Sequence, residues 1–383
     1  MKWHREKRLV ENLLDLAGVQ IDGRAPCDIQ VHNPEFYPRV IVGGSQALGE
    51  SYMDGWWDCE ALDHFFERIM AARLDKKARK SKALLRAAVK ARLTRRHGRA
   101  RAFEVGRCHY DIGNDLFSAM LDKRMNYSCA YWQEADTLDK AQEAKLELIC
   151  RKLGLQPGMR VLDIGCGWGG FAIYAAENYR VEVTGITVSG EQVKLAQSCC
   201  ESLPVFFELK DYRDIQGTFD RIVSIGMFEH VGFTNYRTYM QVVNQCLEDD
   251  GLFLLHTIGS NTSVRSVDPW LAKYIFPNSM LPSARQITAA AEGIFILEDW
   301  HSFGSHYDHT LIAWHRNFID NWRYIQDRYD QRFKRMWVYY LLSCAGSFRA
   351  RRNQLWQIVF SKIGDSGNGG QAATRISRTH RIR

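Results

Sequence analysis

The stretch "RVLDIGCGWGG", residues 160–170, places an Asp two positions ahead of the first of four glycines. Asp163 closes an apolar run, and Gly165, Gly167, Gly169 and Gly170 follow within six positions. Glycines at a strand-to-helix turn let the backbone come against a ligand that side chains would hold off. Gly165, Gly167 and Gly170 also satisfy G-x-G-x-x-G, so a dinucleotide is one candidate ligand and a plain tight turn is the alternative. Two features weigh against a dinucleotide. Asp163 stands inside the strand where a dehydrogenase carries an apolar residue, and the next strand, "VEVTGIT", ends on Thr187 rather than on an acid that would hold a ribose. Glu229 is a second chemical candidate. It follows the apolar run "RIVSIGMF", at the carboxyl end of the expected sheet, where open α/β folds bind ligands.

The elements that must position these residues are legible as a pattern. Apolar runs at 160–165, 181–187, 205–210, 221–228 and 251–258 read as strands, and 170–178, 190–201 and 234–247 fit helices. Alternation of this kind predicts an α/β fold, a mostly parallel sheet with helices on both faces. A Pro-containing, loop-rich segment at about 260–285 interrupts it, and "IFILEDWHSF" (294–303) and "LWQIVFSKI" (355–363) read as late strands. Residues 1–70 are expected to form a small N-terminal domain, 71–101 a basic linker or helix, and 102–363 the main domain. The last stretch, 364–383, has no hydrophobic pattern and is expected to be a disordered basic tail.

Composition narrows the class. The apolar fraction is 46%, enough for a sizeable core, yet no run of 18 apolar residues occurs and no transmembrane helix is expected. The start, "MKWHREKRLVENLLDLAG", is charged throughout and lacks an apolar signal core, which predicts a cytoplasmic protein, on the inner face if it meets a membrane. The ten cysteines form no C-x-x-C pair and no zinc spacing, so reduced thiols and no metal are expected. Charge is uneven: residues 71–101 hold thirteen Lys or Arg against one Asp, a local +12 in a chain whose formal total is +7. Leu84, Leu85, Val89 and Leu93 give that segment a narrow apolar stripe, so it suits an anionic membrane surface, a solvated linker helix or nucleic acid. Its lack of aromatics disfavours single-stranded RNA.

The glycine turn, with its Asp, resembles that of class I S-adenosylmethionine-dependent methyltransferases, which have a Rossmann-like fold. By that resemblance Leu162, Asp163, Gly165, Cys166, Gly167, Trp168 and Gly169 lie near the methionine end of the ligand. Thr187, Ser189 and Gln192 of "TVSGEQ" lie by the ribose, and Asp211 and Tyr212 of "KDYRD" by the adenine. Such a turn says nothing about the methyl acceptor. For the acceptor, "HYDIGNDLFSAMLDKRMNYSCAYW" (109–132), "GMFEHVG" (226–232), "LLHTIG" (254–259), "WLAKYIFPN" (270–278) and "YYLLSCAGSFRARRNQLWQIVFS" (339–361) resemble the cyclopropane fatty-acyl-phospholipid and mycolic acid synthases. "GESYMDGWW" is similar to the additional N-terminal domain of the phospholipid enzymes.

The resemblance implies a methyltransferase domain over 102–363 with lipid-binding insertions. Its implied activity is methylene transfer from S-adenosylmethionine to a cis double bond in an unsaturated phospholipid. It implies a bicarbonate as the base, held by Cys129, Glu229, His256 and Tyr307 with the backbone of Ile258, while Tyr127 and Ser128 contact the sulfonium. Cys344 is a further catalytic candidate, although methyl transfer to an alkene needs no covalent enzyme intermediate. Taken singly, Cys129, His256 and Tyr307 would also suit ordinary core or loop positions. Family members are often homodimers. Alternatives of the same fold are a methyl-branched lipid product and methylation of RNA.

Overall fold

A computed structural model describes residues 3–81, 83, 84, 86, 113–200, 202–264 and 266–363. Most of the basic segment, including Leu85, Val89 and Leu93, and all of the tail 364–383 lie outside the described residues. The chain divides into two compact units.

The first unit gathers Met1–Met120, Ser266–Pro277 and Asp308–Arg352. It is built of helices, among them Phe36–Met53, Leu62–Ala71 and Gln331–Arg349, with one two-stranded ladder of β1 (Gln30–Val31) and β2 (Trp57–Asp58). Its centre is aromatic: Trp57 packs on Phe36, Tyr52 and Phe65, and Tyr339 packs on Tyr52, Phe66 and Trp270. Small residues allow the close approach. A Cβ at Gly346 would stand 2.5 Å from the Asp63 carbonyl, which seats Gln331–Arg349 directly on Leu62–Ala71. Arg349 then reaches Asp63 and Asp308, each at 2.8 Å.

The second unit gathers Leu121–Arg265, Asn278–Tyr307 and Asn353–Arg383, around a seven-stranded sheet. The strands are β3 (Arg160–Ile164), β4 (Glu182–Thr187), β5 (Val205–Leu209), β6 (Phe219–Ile225), β7 (Leu247–Ser260), β8 (Phe295–Ser302) and β9 (Asn353–Lys362). Their order is β5-β4-β3-β6-β7-β9-β8, with β3 to β7 parallel and β9 antiparallel to both β7 and β8. The chain runs outward from β3 through β4 to β5, then returns to start again at β6. The β3/β6 boundary is therefore the topological switch point, where open α/β sheets take their ligands.

Strand alternation assigns the two faces. Leu162, Ile164, Ile222, Phe253 and Leu255 share one core with the helix Tyr236–Cys246. Val161, Val223, Leu254 and Val359 share the other with the helices Leu138–Leu153 and Gly170–Tyr179. Burial on both faces explains why these strands read as continuous apolar runs. Tyr236, Tyr239, Met240, Val243 and Cys246 are buried at helical spacing, so one stripe of that helix faces the sheet. Leu138–Leu153 begins at Thr137, whose side chain accepts the Lys140 N–H, and ends at Gly154 in the left-handed region, φ 58°. A cap of this kind contributes about 1 kcal/mol.

Candidate active site

The carboxyl end of β3 carries the glycine turn. Gly165 and Cys166 donate their N–H groups to the Ile186 carbonyl, at 2.9 and 3.0 Å, which ties the turn to β4. Gly165, Gly167 and Gly169 have φ of 84°, 55° and 84°, where a Cβ is strained. The three differ in surroundings. A Cβ at Gly165 would stand 2.7 Å from Met227 Cβ, and one at Gly169 would stand 2.4 Å from Phe207 Cζ. One at Gly167 would meet, among the described residues and beyond its chain neighbours, no atom within 4 Å. Two of these glycines are thus required by the protein's own packing, and the third faces a side left open by the described residues.

Asp163 lies below this turn and is 1% exposed. Among the described residues both of its carboxylate oxygens lack a hydrogen-bond partner, and burial pushes its carboxyl up to about 7 against the opposing pull of Lys145. Leu162 points into the opposite core, while Cys166 and Trp168 are buried. On β4, Thr187 donates to Gln192 Oε1 at 2.8 Å and accepts the Ser189 N–H at 3.2 Å. Ser189 in turn caps the helix Gly190–Ser198 by accepting the Gln192 N–H. These three expected ribose residues are therefore brought together by one local network. Asp211 is different: its two oxygens accept from Arg213, at 2.8 and 2.9 Å, and that pairing holds its carboxyl below the usual carboxylate range. Tyr212 turns into the core, 5.0 Å from the Tyr239 ring.

The candidate acid–base residues lie at the neighbouring strand ends. Glu229 sits in a 3₁₀ turn, Phe228–His230, after β6. Met227, two residues earlier, is the side chain that a Cβ at Gly165 would strike, so the Glu229 turn abuts the glycine turn. Glu229 Oε1 accepts the Ile258 N–H at 2.6 Å. That amide, expected among the donors to an anion, here ties the carboxyl to β7. Glu229 Oε2 is buried with no hydrogen-bond partner among the described residues, and burial pushes the carboxyl up to about 7.

His256, in β7, is 1% exposed and pairs across the ladder with Gln357. Its Nδ1 lies 3.3 Å from Gln357 Nε2, and its Nε2 is buried with no partner among the described residues. With the Gln357 amide as donor, the proton of the neutral ring sits on Nε2. Burial holds this imidazole neutral by lowering its affinity for a second proton. The His256 ring stands 6.0 Å from Phe303, edge to face, and Phe303 begins the turn that leads to Tyr307, which is 8% exposed. Cys129 is fully buried, its thiol toward the Ala130 carbonyl at 3.3 Å. Tyr127 is half-buried beside it in the chain, and Ser128 is buried.

Cys129, Glu229, His256 and Tyr307 all belong to the second unit, whereas Cys344 belongs to the first, in the helix Gln331–Arg349. Burial pushes the Cys344 thiol up to about 12, so it stays protonated at neutral pH.

One residue escapes motif reading. Lys145 is fully buried, and its Nζ donates to Asn126 Oδ1 at 3.0 Å and Ser128 Oγ at 3.1 Å. Its signal is positional: a lysine stands in the buried stripe Leu138, Ala141, Gln142, Lys145, Leu146, Ile149 and Leu153, where the period calls for apolar side chains.

The family described as mycolic acid cyclopropane synthetase matches residues 97–358. The cyclopropane-fatty-acyl-phospholipid synthase of Escherichia coli strain K12 is 56% identical over 361 residues, 94% of each chain. The chain belongs to the cyclopropane synthase family. Among solved structures of this family, the cyclopropane synthase MmaA2 of Mycobacterium tuberculosis is 32% identical, with a TM-score of 0.62 over 68% of this chain and 98% of that one. The mycolic acid cyclopropane synthase CmaA1, complexed with SAH and CTAB, is also 32% identical, with a TM-score of 0.61 over 66% of this chain and 96% of that one. The protein is thus an S-adenosylmethionine-dependent methyltransferase of the α/β class. Among the described residues no cluster of side chains could hold a metal ion, and no helix is long and apolar enough to cross a membrane.

Proposed function

We propose that this protein transfers a methylene group from S-adenosylmethionine to the cis double bond of an unsaturated acyl chain in a phospholipid, forming a cyclopropane. The observation that carries the reading is the 56% identity to the phospholipid enzyme of Escherichia coli across 94% of both chains. The buried, unpartnered atoms at the switch point support it. Asp163 and the open side of Gly167 would hold the co-substrate, and Glu229 Oε2 and His256 Nε2 would serve ring closure.

The chemistry fits those atoms. An alkene has no proton to lose before it attacks a sulfonium methyl, so the first step needs alignment rather than a base. Positive charge then moves onto the acyl chain, where water would trap it. The aromatic edge of Phe303 beside His256 keeps that side of the site apolar. Closure of the ring requires removal of one proton from the new methyl. Bicarbonate, when bound, supplies the mild base. The residues present fit that anion: His256 Nε2–H offers a donor and Glu229 Oε2 an acceptor for its hydroxyl, while Tyr307 and Cys129, both buried, join the set by the family resemblance alone.

The test is product analysis. The purified chain is incubated with S-adenosylmethionine and either vesicles of a cis-unsaturated phospholipid or RNA. The acyl chain is expected to gain the mass of one methylene, and the RNA to stay unmodified. Methylated RNA with unchanged lipid would overturn the reading.

The substrate lies in a bilayer, so the protein must meet a membrane surface from the cytoplasmic side. The basic segment 71–101 is the docking element in this reading, since polybasic stretches gain about 1 kcal/mol per Lys or Arg near an anionic leaflet. A homodimer would present it twice and raise avidity. Binding to anionic vesicles is expected to weaken steeply as salt rises, and deletion of 74–96 to weaken it about tenfold or more at low salt. A cosedimentation titration checks both, and salt-independent binding would contradict the electrostatic account.

A further inference from the structure

Lys145 has no part in the chemistry so far. Its two hydrogen bonds to Asn126 and Ser128 belong to a larger buried network. Gln142, one turn earlier on the same helix, donates to the Ser128 carbonyl at 2.9 Å. Asp122 accepts from both the N–H and the Nδ2 of Asn126, each at 2.8 Å. These bonds fix the segment that carries Tyr127, Ser128 and Cys129. The same segment lies against the glycine turn, because a Cβ at Gly170 would stand 2.6 Å from the Arg124 carbonyl and 3.0 Å from Asn126 Oδ1.

Lys145 also favours the charged form of Asp163, whose oxygens have no hydrogen-bond partner among the described residues. The other titratable groups around the pair are Asp122, Cys129 and His256 near Lys145, and Cys166 and Tyr239 near Asp163. Asp122 is already engaged by Asn126.

We propose that Lys145 is a positioning residue for the co-substrate: its ammonium fixes Asn126 and Ser128 against the glycine turn and keeps the Asp163 carboxylate negative for the ammonium group of the ligand. The proposal rests on the reading of Asp163 and the glycine turn as the co-substrate site. Its physical basis is that a carboxylate alone in a dry site takes up a proton instead of staying charged. Burial already pushes Asp163 up to about 7 with Lys145 present, and pulls Lys145 down to about 8. Without the lysine charge, Asp163 would keep its proton to higher pH and offer a cation nothing but a neutral acid.

The test is calorimetric titration of the full chain with S-adenosylhomocysteine between about pH 6 and 9. This probe keeps the ammonium group, and its own amine titrates identically against every variant. Wild-type affinity is expected to rise through about pH 7 and level off. Lys145→Met is expected to bind about fivefold more weakly at pH 7, with its midpoint about one pH unit higher and most of the affinity regained by pH 9. Lys145→Gln, which keeps a donor but not the charge, is expected to show the same shift and carries the test if the Met variant does not fold.

A loss that is equal at every pH marks a merely structural lysine and overturns the proposal, as does a flat wild-type profile. Asp163→Asn separates the two layers. If it binds as wild type, the site reading falls and the proposal with it. If it binds weakly at every pH while the Lys145 variants keep the wild-type midpoint, the Lys145 proposal alone falls.

Discussion

Glu229→Gln is expected to lower kcat by about a hundred- to a thousandfold while affinity for S-adenosylmethionine stays within about twofold. The amide keeps the size and shape of the carboxyl, and its oxygen can still accept the Ile258 N–H that anchors it to β7. What it loses is the second acceptor, the buried Oε2, which becomes a donor. Stopped-flow or steady-state turnover with vesicle substrate, beside calorimetric binding of the co-substrate, checks both halves. A variant with unimpaired turnover would remove Glu229 from the mechanism. The pH dependence gives a second handle with a definite sign. Burial pushes this carboxyl up to about 7, so it gains its proton as pH falls through that value and can no longer accept one. Wild-type kcat is therefore expected to fall below about pH 7, and residual turnover of Glu229→Gln is expected to lose that acid limb.

Gly167→Ala is expected to weaken co-substrate binding about a hundredfold while shifting the thermal midpoint by only a few degrees. Its φ of 55° costs an alanine about 1 kcal/mol, but among the described residues the new methyl meets no atom within 4 Å beyond its chain neighbours. The methyl would fill the open side of the turn, so the damage falls on the ligand rather than on the fold. Gly169→Ala provides the contrast. Its Cβ would overlap the Phe207 ring at 2.4 Å inside a packed core, so loss of stability should accompany any loss of binding. Calorimetry and thermal denaturation of the two variants separate the effects. Equal destabilisation by both, with binding intact in Gly167→Ala, would mean that the turn is structural only.

Much of the fold was legible because the centre of the sheet is buried on both faces, while its edge strands β5 and β8 expose Phe206, Leu209, Ile296 and Leu297. The central strands β3, β6 and β9 are apolar runs that overlap the expected ones, whereas β7 begins four residues earlier than its apolar run and β8 carries Glu298, Asp299 and His301 within it. The insertion of β9 between β7 and β8 was not legible, since nothing in "LWQIVFSKI" names its partners. Nor does any local signal show that residues 266–277 and 308–352 gather with the first unit, because that depends on pairings such as Gly346 with Asp63.

The site divides in the same way. The glycine turn and the Glu229 turn announce themselves by residue type. The unpartnered atoms of Asp163, Glu229 and His256 are visible only once burial is known. Asp211 illustrates the converse: its motif invites a ligand contact, yet Arg213, two residues on, engages both carboxylate oxygens. Tyr212, in the same motif, is spent on the core beside Tyr239. Lys145 was hidden because a single lysine in a charged helix looks solvated until its neighbours on the stripe prove buried.

The central claim is methyl transfer to an alkene followed by removal of one methyl proton. The direct measurement uses S-adenosylmethionine whose methyl carries three deuterons, with a cis-monounsaturated phospholipid in vesicles. The account predicts a lipid with two of the three deuterons on one carbon bonded to both former alkene carbons, seen by mass spectrometry and by the ring signals in NMR. A product that keeps all three, or lipid of unchanged mass after prolonged incubation, would contradict it.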